Sequence, residues 1–267
     1  MATPNLHRLL CQTAILLGLG SCTVYTPMQP AVSTVAAKGQ LELTGSMQPN
    51  TRMEATAVYS PLPNTLVMGA GSFRPKIGDT TYSATRQWEV GLGSYVHLGP
   101  HWLLTGMAGY GAATTIKSIP GIGIGLYSGG YDRYKARYNK IFGQLSVARQ
   151  LERQSFGVVY RITQVAYEQL DYSFGLNSDY SAIPMQKALR HEGLAFFRTK
   201  LGQQDRWQLQ ATLGLSGRAT PQPSREQPAG PNQHDHYTEE SEAKNASRPV
   251  LMTSLGVVFR PKFLVKH

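Results

Sequence analysis

The stretch from Trp207 to Gly217 reads WQLQATLGLSG and decides the fold class. Apolar side chains such as Leu209 alternate in it with polar or small ones such as Gln208 and Gln210. Successive side chains of a β-strand point to opposite faces, whereas those of a helix return every 3.6 residues. The stretch therefore predicts a strand with one apolar face and one polar face.

The same alternation recurs along the chain, and helical periodicity is hard to find between its instances. The alternation is clear in GQLELTGSM, QWEVGLGSYVHL and VLMTSLGVVF. Two further strands, 64–74 and 102–114, are apolar at both odd and even positions, so the sequence leaves open which side faces inward. The predicted strands cover residues 38–47, 52–60, 64–74, 85–98, 102–114, 137–150, 155–171, 187–201, 206–218 and 249–260.

The connections between these strands alternate in length. Short connections cover residues 61–63, 99–101, 151–154 and 202–205, and long ones cover 75–84, 115–136, 172–186 and 219–248, with the short 48–51 as the exception. Membrane β-barrels have tight periplasmic turns, long outer loops and an even number of strands. We therefore predict an all-β protein, a single antiparallel up-and-down barrel of about ten strands and of the outer-membrane type.

A membrane barrel turns its apolar parity toward lipid and encloses the polar one. On that parity five polar side chains are predicted to face the lumen: Glu42, Glu54, Glu89, Gln208 and Gln210. Five more charged residues are candidates for the lumen, although the alternation in their strands does not fix which way they face: Lys140, Arg161, Arg190, Glu192 and Arg198. Enclosed carboxylates need cationic or hydrogen-bonding partners, so we expect a network that plugs the lumen, with a charge-lined selective pore as the alternative.

Aromatic residues lie near both ends of the predicted strands, as in the two interfacial girdles of a spanning barrel. Those on the apolar parity, predicted to contact lipid, are Tyr59, Trp88, Phe156, Trp207 and Phe259. Trp102 is a further candidate for the short-turn girdle, and Phe73, Tyr110 and Tyr138 are candidates for the other. The alternative is that aromatic residues favour strands wherever these lie.

The chain begins MATPNLHRLLCQTAILLGLGSC, in which about a dozen apolar residues follow Arg8. This length suits the apolar region of a secretory signal and is too short for a spanning helix. Leu19-Gly20-Ser21-Cys22 resembles the lipobox of bacterial lipoproteins, which implies cleavage before Cys22 and acylation of that residue. We therefore predict a signal peptide at 1–21, a lipidated Cys22 with a tether at 22–36, and a barrel domain at 37–267.

Taken together, the lipobox, KGQLELTGSM, the hairpin EATAVYSPLPNTLVMGAGSF and the strands WEVGLGSYV and YNKIFGQLSVA resemble bacterial lipoproteins with an outer-membrane β-barrel domain. The resemblance implies architecture and location and no particular activity. With an even strand number the tether meets the first strand at the short-turn end. The expected location is thus the outer membrane, anchored through Cys22 from the periplasmic leaflet with the long loops outside.

The expected role is structural or a surface interaction through the outer loops, without a cofactor and without enzymatic activity. Two alternatives stay open. A lipocalin-like, lipid-anchored barrel would bind a small hydrophobic ligand and turn its apolar parity inward. A lipid-modifying enzyme at the rim would need His191 as a base, with Ser173, Ser178 or Ser181 as its partner.

The remaining signals are weak. His234 and His236 could bind a metal ion, but they lie in a proline-rich polar stretch without a second ligand cluster, so no metal site is predicted. The net charge is +10, yet its lysines and arginines are scattered, which argues against a nucleic-acid partner. Membrane lipid is the expected partner, and Arg133, Lys135 and Arg137 are candidates to contact lipopolysaccharide phosphates.

Overall fold

The computed structural model describes residues 24–120, 130–174, 180–182, 187–202, 206–219 and 249–261. Over these residues the chain forms eleven β-strands and no helix. The strands are β1 (Leu41–Met47), β2 (Met53–Tyr59), β3 (Thr65–Arg74), β4 (Tyr82–His97), β5 (Trp102–Pro120), β6 (Tyr131–Gln150), β7 (Gln154–Phe174), β8 (Ser181–Ala182), β9 (Lys187–Leu201), β10 (Trp207–Arg218) and β11 (Val250–Phe259).

Ten of these described strands close into one antiparallel barrel, which confirms the predicted fold class. Each strand pairs with its neighbour in the order β6-β5-β4-β3-β2-β1-β11-β10-β9-β7, and the pairing of β6 with β7 closes the ring. The two-residue β8 pairs with β7 at Asp171 and Tyr172, beyond the point where β9 begins. All ten predicted strands are therefore present, with β8 as a short addition.

The barrel has two distinct ends. The short-turn end carries the connections at 60–64, 98–101, 151–153 and 202–206, and the long-loop end carries the others. Two of the tight turns use residues with positive φ, Asn64 at 59° and Gly99 at 98°, a backbone region that asparagine and glycine adopt more easily than other residues.

The wall of the barrel is much taller on one side. Strands β1 and β2 have seven residues each, while β5, β6 and β7 have 19, 20 and 21. The sequence prediction ended the fifth strand at residue 114 and began the sixth at 137, but pairing continues to Pro120 opposite Tyr131. A strand that spans a membrane needs about 9–11 residues, so the additional residues of β5, β6 and β7 extend the wall at the long-loop end past that height.

A β-bulge interrupts the tall wall. Arg137 pairs with Gln169 and Tyr138 pairs with Tyr167, so Glu168 is the additional residue on β7. The insertion reverses the alternation, because Val165 faces inward before the bulge and Leu170 faces inward after it. Asn139 donates a hydrogen bond to the Glu168 carboxylate across this irregularity.

The apolar parity faces outward. Val90, Leu209, Leu213 and Val257 are 51%, 47%, 59% and 39% exposed on the outer surface. The two strands whose facing the sequence left open follow the same rule: Leu66 and Met68 of β3 are buried while Val67 is exposed, and in β5 Leu103 and Met107 are buried. The outer surface of the barrel is thus a broad apolar band.

The predicted tether is where the structure departs most from the sequence analysis. Residues 24–35 lie inside the barrel. All of them are buried there except Thr26, which is partly buried. Their end does meet β1 from the short-turn side, as expected, with Gly39 donating its backbone N–H to Ser60 O at 2.7 Å. The described residues of the predicted tether at 22–36 therefore lie, up to Val35, inside the barrel.

Candidate functional site in the barrel lumen

The lumen is filled by an extended segment, residues 24–36, which we call the lumen segment. It reads VYTPMQPAVSTVA and contains no charged residue. Pro27 and Pro30 each lack a backbone donor and favour extended backbone, so the segment suits a narrow channel better than a helix would. Its side chains and backbone contact inward-facing residues from nearly every strand of the barrel.

The upper part of the lumen segment packs on the tall wall. Val24 and Tyr25 are buried in an apolar cluster with inward residues of β5, β6, β7 and β9, among them Tyr138. Tyr25 donates its hydroxyl hydrogen to Glu192 at 3.0 Å, and the Arg190 guanidinium lies 4.5 Å from its ring centre. This end of the segment is therefore fixed by aromatic packing and a charge-assisted hydrogen bond.

The backbone of the lumen segment is held by side chains of the wall, which satisfy polar groups that would otherwise be buried alone. From the long-loop end to the short-turn end, the contacts join Thr26 to Tyr138, Pro27 O to Arg52 (2.6 Å), Gln29 N to Glu54 (3.3 Å), Ala31 O to Gln144 (2.9 Å), Val32 O to Arg198 (3.0 Å), Thr34 N to Glu42 (3.4 Å), Thr34 O to Gln150 (3.4 Å) and Ala36 O to His97 (3.1 Å).

Arg198 organises the lower part of the lumen. Its guanidinium donates to Gln210 Oε1 at 2.7 Å and to the Thr34 hydroxyl at 2.9 Å, and it lies 3.0 Å from Glu42 Oε1. Glu42 also accepts from Arg260 at 2.7 Å. The lumen segment is thus tied to the wall through the same arginine that neutralises a buried carboxylate.

A second network lies at mid-height. Glu89 is contacted by Lys140 Nζ at 2.6 Å and by Arg161 Nη1 at 3.1 Å. Arg161 donates as well to Gln144 Oε1 at 2.8 Å, and its Nε lies 4.0 Å from Glu192 Oε2. All of these charges are buried, so each depends on its partners for the solvation that water would otherwise supply.

The structure places all five residues that were expected in the lumen on its inner side: Glu42, Glu54, Glu89, Gln208 and Gln210 are buried. The five residues with less certain phasing, Lys140, Arg161, Arg190, Glu192 and Arg198, are buried there too. Cys22 and its immediate neighbours lie outside the described residues.

The aromatic candidates lie on the outer surface with one exception. Trp207 and Phe259 pack at 4.5 Å between ring centres at the short-turn end, and Trp88 packs edge-on against Tyr110 at 5.7 Å nearer the other end. Tyr59 and Phe156 are exposed on the outer face as well. The exception is Tyr138, which was a girdle candidate and is instead fully buried in the lumen, because it has the inward parity of Lys140.

The arrangement does not assemble the residues of the enzymatic alternative. The His191 ring lies on the outer face, where Nδ1 is 2.5 Å from the hydroxyl of the exposed Tyr160. Ser173 is buried near the end of β7 and Ser181 is exposed in β8, while Ser178 lies outside the described residues. His191 pairs with Ile162, which precedes Ser173 by eleven positions on β7, so the two side chains are separated by on the order of 30 Å along the sheet.

The described ranges also assemble no metal site. No group of three or more His, Cys, Asp or Glu residues there could hold a metal ion. His234 and His236 lie outside those ranges. Among the same residues no helix is both long and apolar enough to span a membrane.

The lipocalin-like alternative required an apolar interior and a polar exterior. The observed barrel has the reverse arrangement, since charged networks fill much of the lumen and the large exposed side chains are apolar. An apolar cluster does lie inside, but Val32 and Val35 of the lumen segment occupy its centre, with Leu66 and Leu103 from the wall around them. The space in which a small hydrophobic ligand would bind is therefore taken by the chain itself.

Sequence reasoning missed the lumen segment because it assigned residues without periodicity to a tether. A signal was present: no charged residue occurs between Cys22 and Lys38, and Tyr25, Met28, Val32 and Val35 are unusual in a solvated linker. A stretch without charged side chains can be enclosed without the cost of burying an unpaired charge.

Comparisons with known proteins give a limited result. No family model matches the chain, and a search of curated proteins finds no match. Among solved structures, the translocator domain of autotransporter NalP from Neisseria meningitidis is 11% identical, with a TM-score of 0.38, covering 82% of this chain and 86% of that one. CarO2 and CarO from Acinetobacter baumannii are each 10% identical, with TM-scores of 0.27 and 0.24, covering 84% of this chain and 99% and 97% of theirs. Values this low assign no function to the chain.

Proposed function

We propose that the protein is a lipid-anchored outer-membrane β-barrel with a closed lumen, which serves a structural or surface-interaction role and neither conducts solutes nor catalyses a reaction. The observation that carries this proposal is the lumen segment: an apolar barrel exterior encloses a channel that the chain fills with its own residues 24–36. A conducting barrel of this size would need that space, since ten strands leave a narrow interior.

The membrane location is supported by the outer surface of β6. Its outward side chains change along the strand from Lys135 and Arg137 at the long-loop end, through Ile141 and Leu145, to Arg149 at the short-turn end. Arg149 lies 5.7 Å from the Trp102 ring centre. An apolar stretch bounded by cations and an aromatic ring is the pattern of a strand that crosses lipid between two headgroup layers.

The surface-interaction role is supported by the part of the wall that projects beyond this apolar stretch. Lys135 and Arg137 are exposed there on the outer face, at the height where phosphate groups of the adjoining leaflet would lie. Loss of lipopolysaccharide binding in a Lys135→Ala/Arg137→Ala variant, with Arg149→Ala as the control at the opposite end, would support this contact. Equal binding by both variants would argue against it.

Conductance tests the closed lumen directly. Purified full-length protein in a planar lipid bilayer should show no steady pore, whereas a variant lacking residues 24–35 should show ion conductance. Each sample should first show the heat-dependent gel mobility of a folded barrel, which separates loss of folding from opening of the lumen. Steady conductance by the full-length protein would overturn the closed-lumen proposal.

Two further experiments test the membrane insertion of the barrel and the lipidation of Cys22. The protein should require detergent for extraction even as a Cys22→Ala variant, because the apolar exterior and not the lipid retains it. Radiolabelled palmitate should be incorporated into the unaltered protein and not into that variant. Release of the variant by plain buffer would contradict the membrane barrel, and unchanged palmitate incorporation would contradict Cys22 as the lipidated residue.

A further inference from the structure

The last residues of the lumen segment lie at the short-turn end of the barrel. Ala36, the last residue of the segment, contacts His97, which ends β4 at the short-turn end of the barrel. Thr34 contacts Gln150, which ends β6 at the same level. The C-terminal end of the lumen segment therefore lies at the short-turn end of the barrel, where β1 starts.

The other end of the lumen segment lies at the long-loop end. Tyr25 contacts Glu192 and Arg190, and Arg190 pairs with Arg218, the last residue of β10 before a long connection. Pro27 O accepts a hydrogen bond from Arg52, in the 48–52 connection at that same end. The contacts between these two ends follow each other in order along the barrel, so the segment crosses the lumen once and does not turn back.

The length of the segment agrees with a single crossing. Twelve residue steps of extended chain span at most about 40 Å, and the apolar band of an outer-membrane barrel is about 25 Å tall. Two further steps from Val24 to Cys22 add at most about 7 Å, which is far too little for a return to the short-turn end.

We infer that the chain threads its own barrel, so that Cys22 leaves the lumen at the long-loop end and its acyl chains enter the leaflet on the side of the long loops. This rests on the membrane location and the lipidation proposed above. It replaces the expectation of an anchor in the periplasmic leaflet, which assumed that the residues after Cys22 stay on the short-turn side. The lumen would then serve to display the lipidated terminus on the opposite face of the membrane.

The threading is tested by the side of the membrane on which three positions react. Thr23→Cys probes the chain just before the lumen segment, Asp79→Cys probes the exposed 75–81 connection at the long-loop end, and Leu62→Cys probes the exposed 60–64 turn at the other end. Each variant is treated with a membrane-impermeant maleimide in intact cells and again after permeabilisation, with the unaltered protein as the blank for Cys22 itself.

Threading predicts that Thr23→Cys and Asp79→Cys react under the same condition and Leu62→Cys only under the other. If Thr23→Cys reacts together with Leu62→Cys, while Asp79→Cys reacts separately, the threading is overturned and the membrane barrel stands. If all three react alike, the barrel does not separate two compartments, so the proposed location fails and the inference fails with it.

Discussion

Replacing Glu89 with alanine should be among the most destabilising single changes in the barrel. The side chain neutralises Lys140 at 2.6 Å and Arg161 at 3.1 Å, and the side chains of all three residues are 1% exposed. After its removal, the Lys140 ammonium keeps Gln87 as a neutral partner at 3.3 Å. Arg161 keeps Gln144 and the more distant Glu192.

The expected cost follows from leaving buried charges without their counter-ion. Removing one partner of a buried ion pair typically costs about 3–5 kcal/mol, because the remaining charge cannot regain its hydration. At about 1.4 kcal/mol per tenfold change, this lowers the folding equilibrium constant by roughly two to four orders of magnitude. Glu89→Gln should cost less, because it keeps a hydrogen-bond acceptor in the same place.

Urea unfolding in lipid vesicles, followed by tryptophan fluorescence, measures this loss. Glu152→Ala is the matched control, since Glu152 is an exposed carboxylate in a short-turn connection. The control should unfold within about 0.5 kcal/mol of the unaltered protein. A Glu89→Ala variant that unfolds together with the control would refute the conclusion that the barrel depends on this buried network.

Other substitutions test separate features of the structure. A Cβ at Gly157 would lie 2.1 Å from Val147 O, whereas one at Gly143 would have no neighbour within 4 Å. Gly157→Ala should therefore lower the free energy of unfolding in vesicles by roughly 1–3 kcal/mol, and Gly143→Ala should lower it much less. Equal losses in the two variants would contradict the described packing. Leu213→Arg, at the middle of an outward face, should cost about 2–4 kcal/mol in lipid, and Leu201→Arg near the short-turn end about 0–1 kcal/mol, with the reverse order arguing against the assigned membrane depth. His191→Ala should leave the lipid composition of the envelope unchanged, because the strand pairing places His191 far from Ser173 along β7. An altered composition would favour the enzymatic alternative.

Much of the barrel was predictable because its alternation is a direct consequence of strand geometry. Leu209 and Gln208 could be assigned to opposite faces from their spacing alone, and the lengths of the connections gave the two ends. The facing of β3 was not predictable in this way. Both of its parities are apolar, because Leu66 and Met68 pack on the lumen segment's apolar cluster inside while Val67 faces outward.

The contents of the lumen were not predictable from strand patterns. Glu42 and Arg198 could each be assigned to the inner face, but their pairing depends on the barrel closing between β1 and β11. The bulge at Glu168 reversed the phase of the upper part of β7, and no turn residue marks its position. Residues 24–36 have no periodicity, so only their lack of charge and their large apolar side chains pointed to an enclosed position.

Contact between the apolar exterior of the barrel and lipid can be measured by tryptophan fluorescence. All three tryptophans of the chain, Trp88, Trp102 and Trp207, lie on the outer surface and are 47%, 41% and 50% exposed. If this surface contacts lipid, vesicles made with brominated acyl chains should quench the tryptophan emission strongly, and aqueous iodide should add little quenching. Emission that iodide quenches and brominated lipid leaves unchanged would contradict it.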